Sequence, residues 1–226
     1  MVKKILLALV IIVLLSLLGL GFFFFNSSKK LVTDVNTTVN KLNDEAKNQQ
    51  ENIEVTPSKI EEKNEIVTTN ANVEFKTYTN EDEGVSIDYP SDWEVTPGDG
   101  QVMIASFFSP LQSTTDEFQE SVGIMIQDFS AVGMDLAKFD KQNTEALGQY
   151  MENLKITKHE DTEVDGEPGK FLIFTGTYPG QDTPTATVQS YTVFEDYVYV
   201  LTYTGKQGDF EKFVATAQEM FKSFSF

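Results

Sequence analysis

Cysteine and arginine are both missing from this sequence of 226 residues, and histidine occurs once, as His159. Without cysteine there is no disulfide, no thiolate nucleophile and no thioether-linked lipid anchor. A structural zinc site takes about four Cys or His ligands and a catalytic one about three, so a single histidine excludes a histidine-based zinc centre unless carboxylates supply most of it. Without arginine there is no planar fork to grip phosphate or carboxylate in two places, which argues against nucleotide handling. No G-x-S-x-G, Walker or dinucleotide glycine pattern is present. No catalytic residue, cofactor or metal is therefore expected, and the protein is read as non-enzymatic.

Acid outweighs base in only one part of the chain. Residues 1–69 hold 8 Lys and 8 Asp or Glu, whereas residues 70–226 hold 9 Lys and 27 Asp or Glu, so the whole formal charge of −18 falls in the second part. Nucleic-acid binding relies on Lys and Arg displacing counterions from phosphates, and a domain this acidic excludes it. The acidity is read as a solvated face that keeps the domain soluble.

Long apolar runs are confined to the amino terminus. Ile5 to Phe25 is 21 residues interrupted only by Ser16, Gly19 and Gly21, and a helix of that length reaches about 30 Å, the thickness of a bilayer core. Ending in four phenylalanines rather than a small-x-small exit, it predicts an uncleaved signal anchor behind a cytoplasmic leader of residues 1–4. The expected placement is then the cytoplasmic membrane, single-pass, with the carboxy-terminal domain outside the cytoplasm. Residues 26–72 form the expected stalk and linker. Val32, Val35, Val39, Leu42, Ala46, Gln49 and Ile53 follow a seven-residue register that offers a seam for a weak homodimer. The sequence from Glu54 to Asn72 is polar and linker-like. Asn26 and Asn36 stand in glycosylation sequons.

From residue 73 to 226 short alternating runs predict a globular domain. Strands are expected over Val73–Thr79, Val85–Tyr89, Val102–Phe108, Val122–Phe129, Ile156–Glu163, Lys170–Tyr178, Thr187–Phe194 and Tyr197–Thr204, with Asp165-Gly166 and Glu195-Asp196 as tight turns. Strands joined so closely are antiparallel. Phe210, Phe213, Val214, Ala217, Phe221 and Phe224 have helical spacing, with Asp209 placed to cap the first turn. Leu136, Phe139, Leu147, Tyr150, Met151 and Leu154 form a second stripe. The fold class is α+β, an antiparallel sheet with helices packed on it, preceded by the transmembrane helix and stalk.

The stretch from Phe75 to Trp93, with its Gly84 turn and the element Tyr89-Pro90-Ser91-Asp92-Trp93, resembles the opening of PsbP-like domains. Val164-Asp165-Gly166-Glu167-Pro168-Gly169, the run from Tyr191 to Tyr203 and the closing Met220-Phe221-Lys222-Ser223-Phe224 are similar to the same group. The resemblance covers about residues 73 to 226. It implies the antiparallel sheet with packed helices and a non-catalytic module on membrane assemblies, and it brings no binding residue with it.

Three local patterns have plain structural readings. Asp161-x-Glu163-x-Asp165-Gly166 imitates the start of an EF-hand loop, but its twelfth position is Leu172, and a hairpin is the better reading. His159 has no motif around it and is read as a strand or surface histidine. Trp93 and Tyr89 are read as a buried pair at a sheet corner. Phe171, Phe174, Tyr178, Tyr191, Phe194, Tyr197, Tyr199 and Tyr203 fall on three neighbouring strands, with Tyr197, Tyr199, Leu201 and Tyr203 alternating to one face. Tyr178, Tyr191, Tyr197, Tyr199 and Tyr203 are the candidate partner surface. The expected function is a membrane-anchored extracytoplasmic domain, held to the membrane through residues 5–25, that binds or stabilises an envelope protein. A small-molecule, lipid or glycan-binding module is the alternative and a hydrolase the third reading.

Overall fold

The computed structural model describes residues 73–98, 102–116 and 118–226, and the architecture is that of Val73–Phe226. A hairpin of β1 (Phe75–Asn80) and β2 (Val85–Pro90) is followed by β3 (Glu94–Pro97), β4 (Met103–Phe108) and β5 (Ser121–Asp128). Helix α1 (Leu136–Tyr150) comes next, then β6 (Glu152–Val164), β7 (Glu167–Thr177), β8 (Thr185–Phe194) and β9 (Tyr197–Lys206). A short 3₁₀ turn, Phe210–Lys212, leads into α2 (Val214–Ser223). Strands β3 to β9 form one antiparallel sheet in the order β3-β4-β5-β9-β8-β7-β6, and β1-β2 stands apart as a two-stranded ribbon.

Strand β9 lies in the middle of this sheet and buries both faces. Val198 and Val200 point to the side of α1, where they join Met125, Phe139, Leu147, Leu172, Phe174 and Tyr191. Leu201 and Tyr203 point the other way, into a core closed by α2 and the β1-β2 ribbon through Ala217, Met220, Phe224, Val85 and Ile87. The period of two in Tyr197-Val-Tyr-Val-Leu-Thr-Tyr203 serves both cores. The ribbon is tied down at its β2 edge: Ser86 and Ser225 exchange backbone hydrogen bonds of 3.0 Å each way, and the Asp88 N–H donates to Ser223 Oγ at 2.9 Å. Gly84 closes the β1-β2 turn at φ +69, a conformation that strains a residue with a Cβ.

Helix α1 starts at Asp135, whose side chain accepts from the Lys138 N–H at 2.8 Å as an N-cap. The carboxy-terminal helix differs from its expected form. Asp209 makes no side-chain cap and pairs with Lys212 at 2.6 Å across the 3₁₀ turn, and α2 begins only at Val214. Its buried positions are Ala217 and Met220, with Phe224 just beyond it; Phe213 and Phe221 are half-buried at its flank, Phe213 edge-on to Trp93 at 5.7 Å. Trp93 and Tyr89 therefore do not form a pair: Trp93 meets Phe213, and Tyr89 meets Phe107 at 5.1 Å. Strand β3, four residues ending at Pro97, falls where no strand range was assigned.

The α+β sheet-and-helix fold stands, but the membrane helix placed before it is corrected. Among the described residues no helix is long and apolar enough to cross a membrane. Helices α1 and α2 have 15 and 10 residues, about 22 and 15 Å, against a bilayer core of about 30 Å. Each carries charged residues on its outer face, including Lys138, Lys141 and Glu145 on α1. The expected span at residues 5–25 and the stalk at 26–72, with its dimer seam and the sequons at Asn26 and Asn36, lie outside the described residues. Membrane anchoring, the membrane as partner, the single-pass placement and the membrane-anchored function that followed from them are not supported.

Met220 is fully buried between α2 and the sheet, so Met220→Ala is expected to destabilise the protein by about 2–5 kcal/mol. Lys222→Ala, two residues on and exposed, should change stability by less than about 0.5 kcal/mol, the pair being compared by urea denaturation. The α1 cap gives a pH test. Hydrogen bonds from the Lys138 side chain and then its backbone N–H hold the Asp135 carboxyl below the usual carboxylate range. A folded-state pKa below the unfolded value stabilises above the unfolded pKa and is lost as pH falls through the folded one. Asparagine caps comparably and does not titrate. Asp135→Asn should keep a near-normal urea midpoint at pH 7 and show a shallower loss of stability below about pH 4.

Candidate functional site

Two tight turns build an aromatic patch at one end of the sheet. Glu195 and Asp196, at φ +47 and +69, reverse the chain so that Phe194 faces Tyr197 across the β8-β9 hairpin. Positive φ at both central positions matches the twist of the flanking strands. The Phe129 N–H donates to the Asp196 carbonyl at 2.9 Å and fixes the turn against the end of β5. Asp165 and Gly166, at φ +50 and +81, form the β6-β7 turn, and the Asp165 carboxylate accepts from the Phe226 N–H at 2.9 Å. That bond holds Phe226 flat on Tyr199, rings 4.0 Å apart at 18°, and 5.6 Å from Phe194. Phe194, Tyr197, Tyr199 and Phe226 thus lie side by side on the α2 face of the sheet, and Tyr197 is 39% exposed.

The rim of this patch is acidic. Glu195, Asp196 and Asp165 belong to the two turns and are exposed, as is Glu83 of the β1-β2 turn. Burial, followed by Tyr197 and the carboxylates of Glu195 and Glu83, raises the Tyr199 hydroxyl above its ordinary range. No Lys forms an ion pair with these four acids among the described residues. Half-exposed aromatic rings ringed by negative charge can dock an apolar anchor that carries positive charge beside it.

The structure divides the five candidate tyrosines. Tyr197 and Tyr199 meet in the patch, whereas Tyr178, Tyr191 and Tyr203 are no more than 1% exposed and lie in the two cores. Tyr203 donates to the Phe210 carbonyl at 3.1 Å and so ties β9 to the 3₁₀ turn. Tyr191 donates to Asp140 Oδ1 of α1 at 2.6 Å, and the same oxygen bonds His159 Nε2 of β6 at 2.7 Å. Burial, then the bond to Asp140, pushes the Tyr191 hydroxyl far up, so it remains the donor. Asn143, one turn beyond Asp140, is buried and donates to Gln189 Oε1 at 2.9 Å. Asp140, Asn143 and Gln189 were not among the candidate residues. Their only mark in the sequence is a polar residue on the apolar stripe of α1, at Asn143, and another in the apolar run of β8. The EF-hand look-alike is taken up by structure: Asp161 bonds Lys170 across the β6-β7 pair at 2.6 Å, and Asp165 holds Phe226.

The family model described as PsbP-like protein matches residues 45–226, and the chain belongs to that family. It is a non-catalytic domain, not an enzyme. Two solved structures are similar. LpqN of Mycobacterium tuberculosis, described as involved in cell envelope biogenesis, is 11% identical, with 69% of this chain and 91% of that chain covered and a TM-score of 0.51. The cyanobacterial PsbP of Synechocystis is also 11% identical, with coverage of 72% and 97% and a TM-score of 0.47. At such identity the likeness is one of fold. No curated protein matches the sequence.

Tyr191→Phe tests the link between α1 and the sheet. It removes one hydroxyl donated to a carboxylate and leaves the ring packing unchanged, and a hydrogen bond to a charged group contributes about 1.5–3 kcal/mol. Urea denaturation should show a loss of that size, with faster amide exchange in α1 by NMR.

Proposed function

We propose that this non-catalytic PsbP-like domain is a binding module whose aromatic patch of Phe194, Tyr197, Tyr199 and Phe226 docks a basic, apolar segment of another protein. The observation that carries this reading is Tyr197, a large aromatic side chain 39% exposed beside three half-buried rings and enclosed by acidic turns. Tyrosine in such a setting is a frequent binding hot spot, since it buries much area at the cost of few rotamers. The charge of the domain argues for the sign of the partner: with 27 acids against 9 Lys over residues 70–226, it attracts and orients a basic segment and repels acidic ones.

A photo-crosslinking amino acid placed at position 197 of the full chain, in cells, should capture one protein through a Lys- or Arg-rich segment. Tyr197→Ala should then weaken binding to that protein, purified, by about tenfold or more, without a change in melting temperature. Rising salt should weaken the wild-type complex. Capture of that partner by positions on β6 instead, or an unchanged affinity for Tyr197→Ala, would remove the patch as the binding surface.

A further inference from the structure

The residues that follow α2 sit on the aromatic patch as a separate, extended piece. Phe224, 2% exposed, is the last of them that the core encloses, and its φ of −66 and ψ of 134 are those of an extended chain. Ser225 and Phe226 beyond it are half-buried. Strand β2 pairs with β1 along one edge, and along the other its only bridge among the described residues is to Ser225. Ser225 and Ser86 exchange N–H···O bonds as opposed residues of an antiparallel pair do, and their hydroxyls lie 2.9 Å apart. Side chains alternate along an extended chain, so Phe224 and Phe226 both turn the other way, to the sheet, with ring centres 6.4 and 4.0 Å from that of Tyr199. The Phe226 N–H then donates to Asp165.

This is the geometry of a peptide docked by strand addition, with main-chain bonds to a sheet edge and an alternate side chain in a fixed place. Apart from the serine hydroxyls, every polar contact of Ser225 and Phe226 is made by main chain and is open to any extended sequence; only the ring on Tyr199 asks for a particular side chain. We propose that Ser225 and Phe226 are a built-in plug and that, the patch being the docking surface proposed above, its occupant is an extended segment of another protein that displaces them. That segment pairs with Ser86 of β2, lays an aromatic ring on Tyr199 and carries Lys or Arg directly after the ring. Phe226 belongs to the patch while the site is closed and gives up its place when the site is filled.

Charge decides which segments displace the plug. Phe226 supplies the ring but no positive charge, and the Lys nearest to it in the sequence, Lys222, belongs to α2. Asp165, Glu195, Asp196 and Glu83 around it form no ion pair with a Lys among the described residues. A segment with Lys or Arg after its ring brings that charge beside Asp165, whose carboxylate lies 2.9 Å from the main chain at this point. The plug has the opposite advantage: it is tethered, and a short tether holds a group at an effective concentration on the order of millimolar. Uncharged aromatic segments are thereby kept off the patch, and basic ones are admitted.

The probe is the peptide Gly-Ser-Phe-Lys-Lys, acetylated and amidated, titrated by NMR into the full chain and into the same chain ended after Phe224. The shortened chain should bind it one to one, with amide shifts at Ser86, Asp165 and Tyr199. Its affinity should be about tenfold or more above that of the full chain, in which only the fraction with the plug released is competent. Peptides with Ala in place of Phe, or Glu-Glu in place of Lys-Lys, should bind the shortened chain about tenfold more weakly or worse. Phe226→Ala, which removes the ring and keeps Ser225, should also bind the probe more tightly than wild type, and it stands in for the shortened chain if that chain does not fold. No binding to the opened chain, equal affinity of opened and wild-type chains, binding without shifts at Ser86, or no preference for the basic peptide would each overturn the inference. So would loss, on shortening, of the protein captured at position 197: Phe226 would then be a wall of the patch, and docking there would stand without the plug. Failure of the patch itself reads differently, as an affinity for that protein unchanged by Tyr197→Ala.

Discussion

The pairing of β9 with β5 holds this domain together. Strands β3, β4 and β5 form one antiparallel group, and β6, β7 and β8 form another; only β9, placed between β5 and β8, makes them one sheet. Eight residue pairs from Ser121-Thr204 to Asp128-Tyr197 run along this seam without a break in register. Both cores meet it, because Val200 on one side and Leu201 on the other are buried members of each. A shift by one residue would exchange the two faces and place tyrosines under α1 and valines under α2. The rest of the architecture, including which rings reach the aromatic patch, depends on that register.

The two faces of the sheet have different chemistry. The α2 side is closed by apolar and aromatic residues and ends in half-buried rings, so its free energy comes from area removed from water. The α1 side combines an apolar centre with buried hydroxyls and amides, and α1 is held down by the shared Asp140 oxygen as well as by Phe139 and Leu147. Hydrogen bonds on that side fix the position of a helix, the one from Tyr191 to the Asp140 carboxylate above all.

Much of this fold is legible in the sequence wherever one residue's environment repeats along an element. Alternation in Tyr197 to Tyr203 gives the strand and its two faces, and Glu195-Asp196 marks the turn before it. The helical stripes around Phe139 and Ala217 place both helices. Depth is not legible in the same way: Tyr197 and Tyr203 share a face, yet one is 39% exposed and the other fully buried, because only the second lies beneath the 3₁₀ turn. Strand β3 is hidden by its length and its proline. Met220 takes the place of Phe221 at the centre of the core: with Ala217 and Phe224 it forms the buried line of α2, and Phe221 lies at its flank. The buried threonines carry no warning, as threonine is equally at home on an exposed strand.

The place of β9 in the sheet also sets the order in which the protein can be made. A ribosome delivers β3, β4 and β5 first, and β6 to β8 follow after α1, but the strand that joins them leaves the exit tunnel after every other strand has been synthesised. Until then β5 presents a free edge of eight residues, Ser121 to Asp128, six of which are buried in the finished domain. An apolar strand with an open ladder is a template for pairing with other chains. Nascent and stalled chains of this protein therefore need a holding factor, or rapid completion of synthesis, in a way that a meander with its last strand at the sheet edge would not.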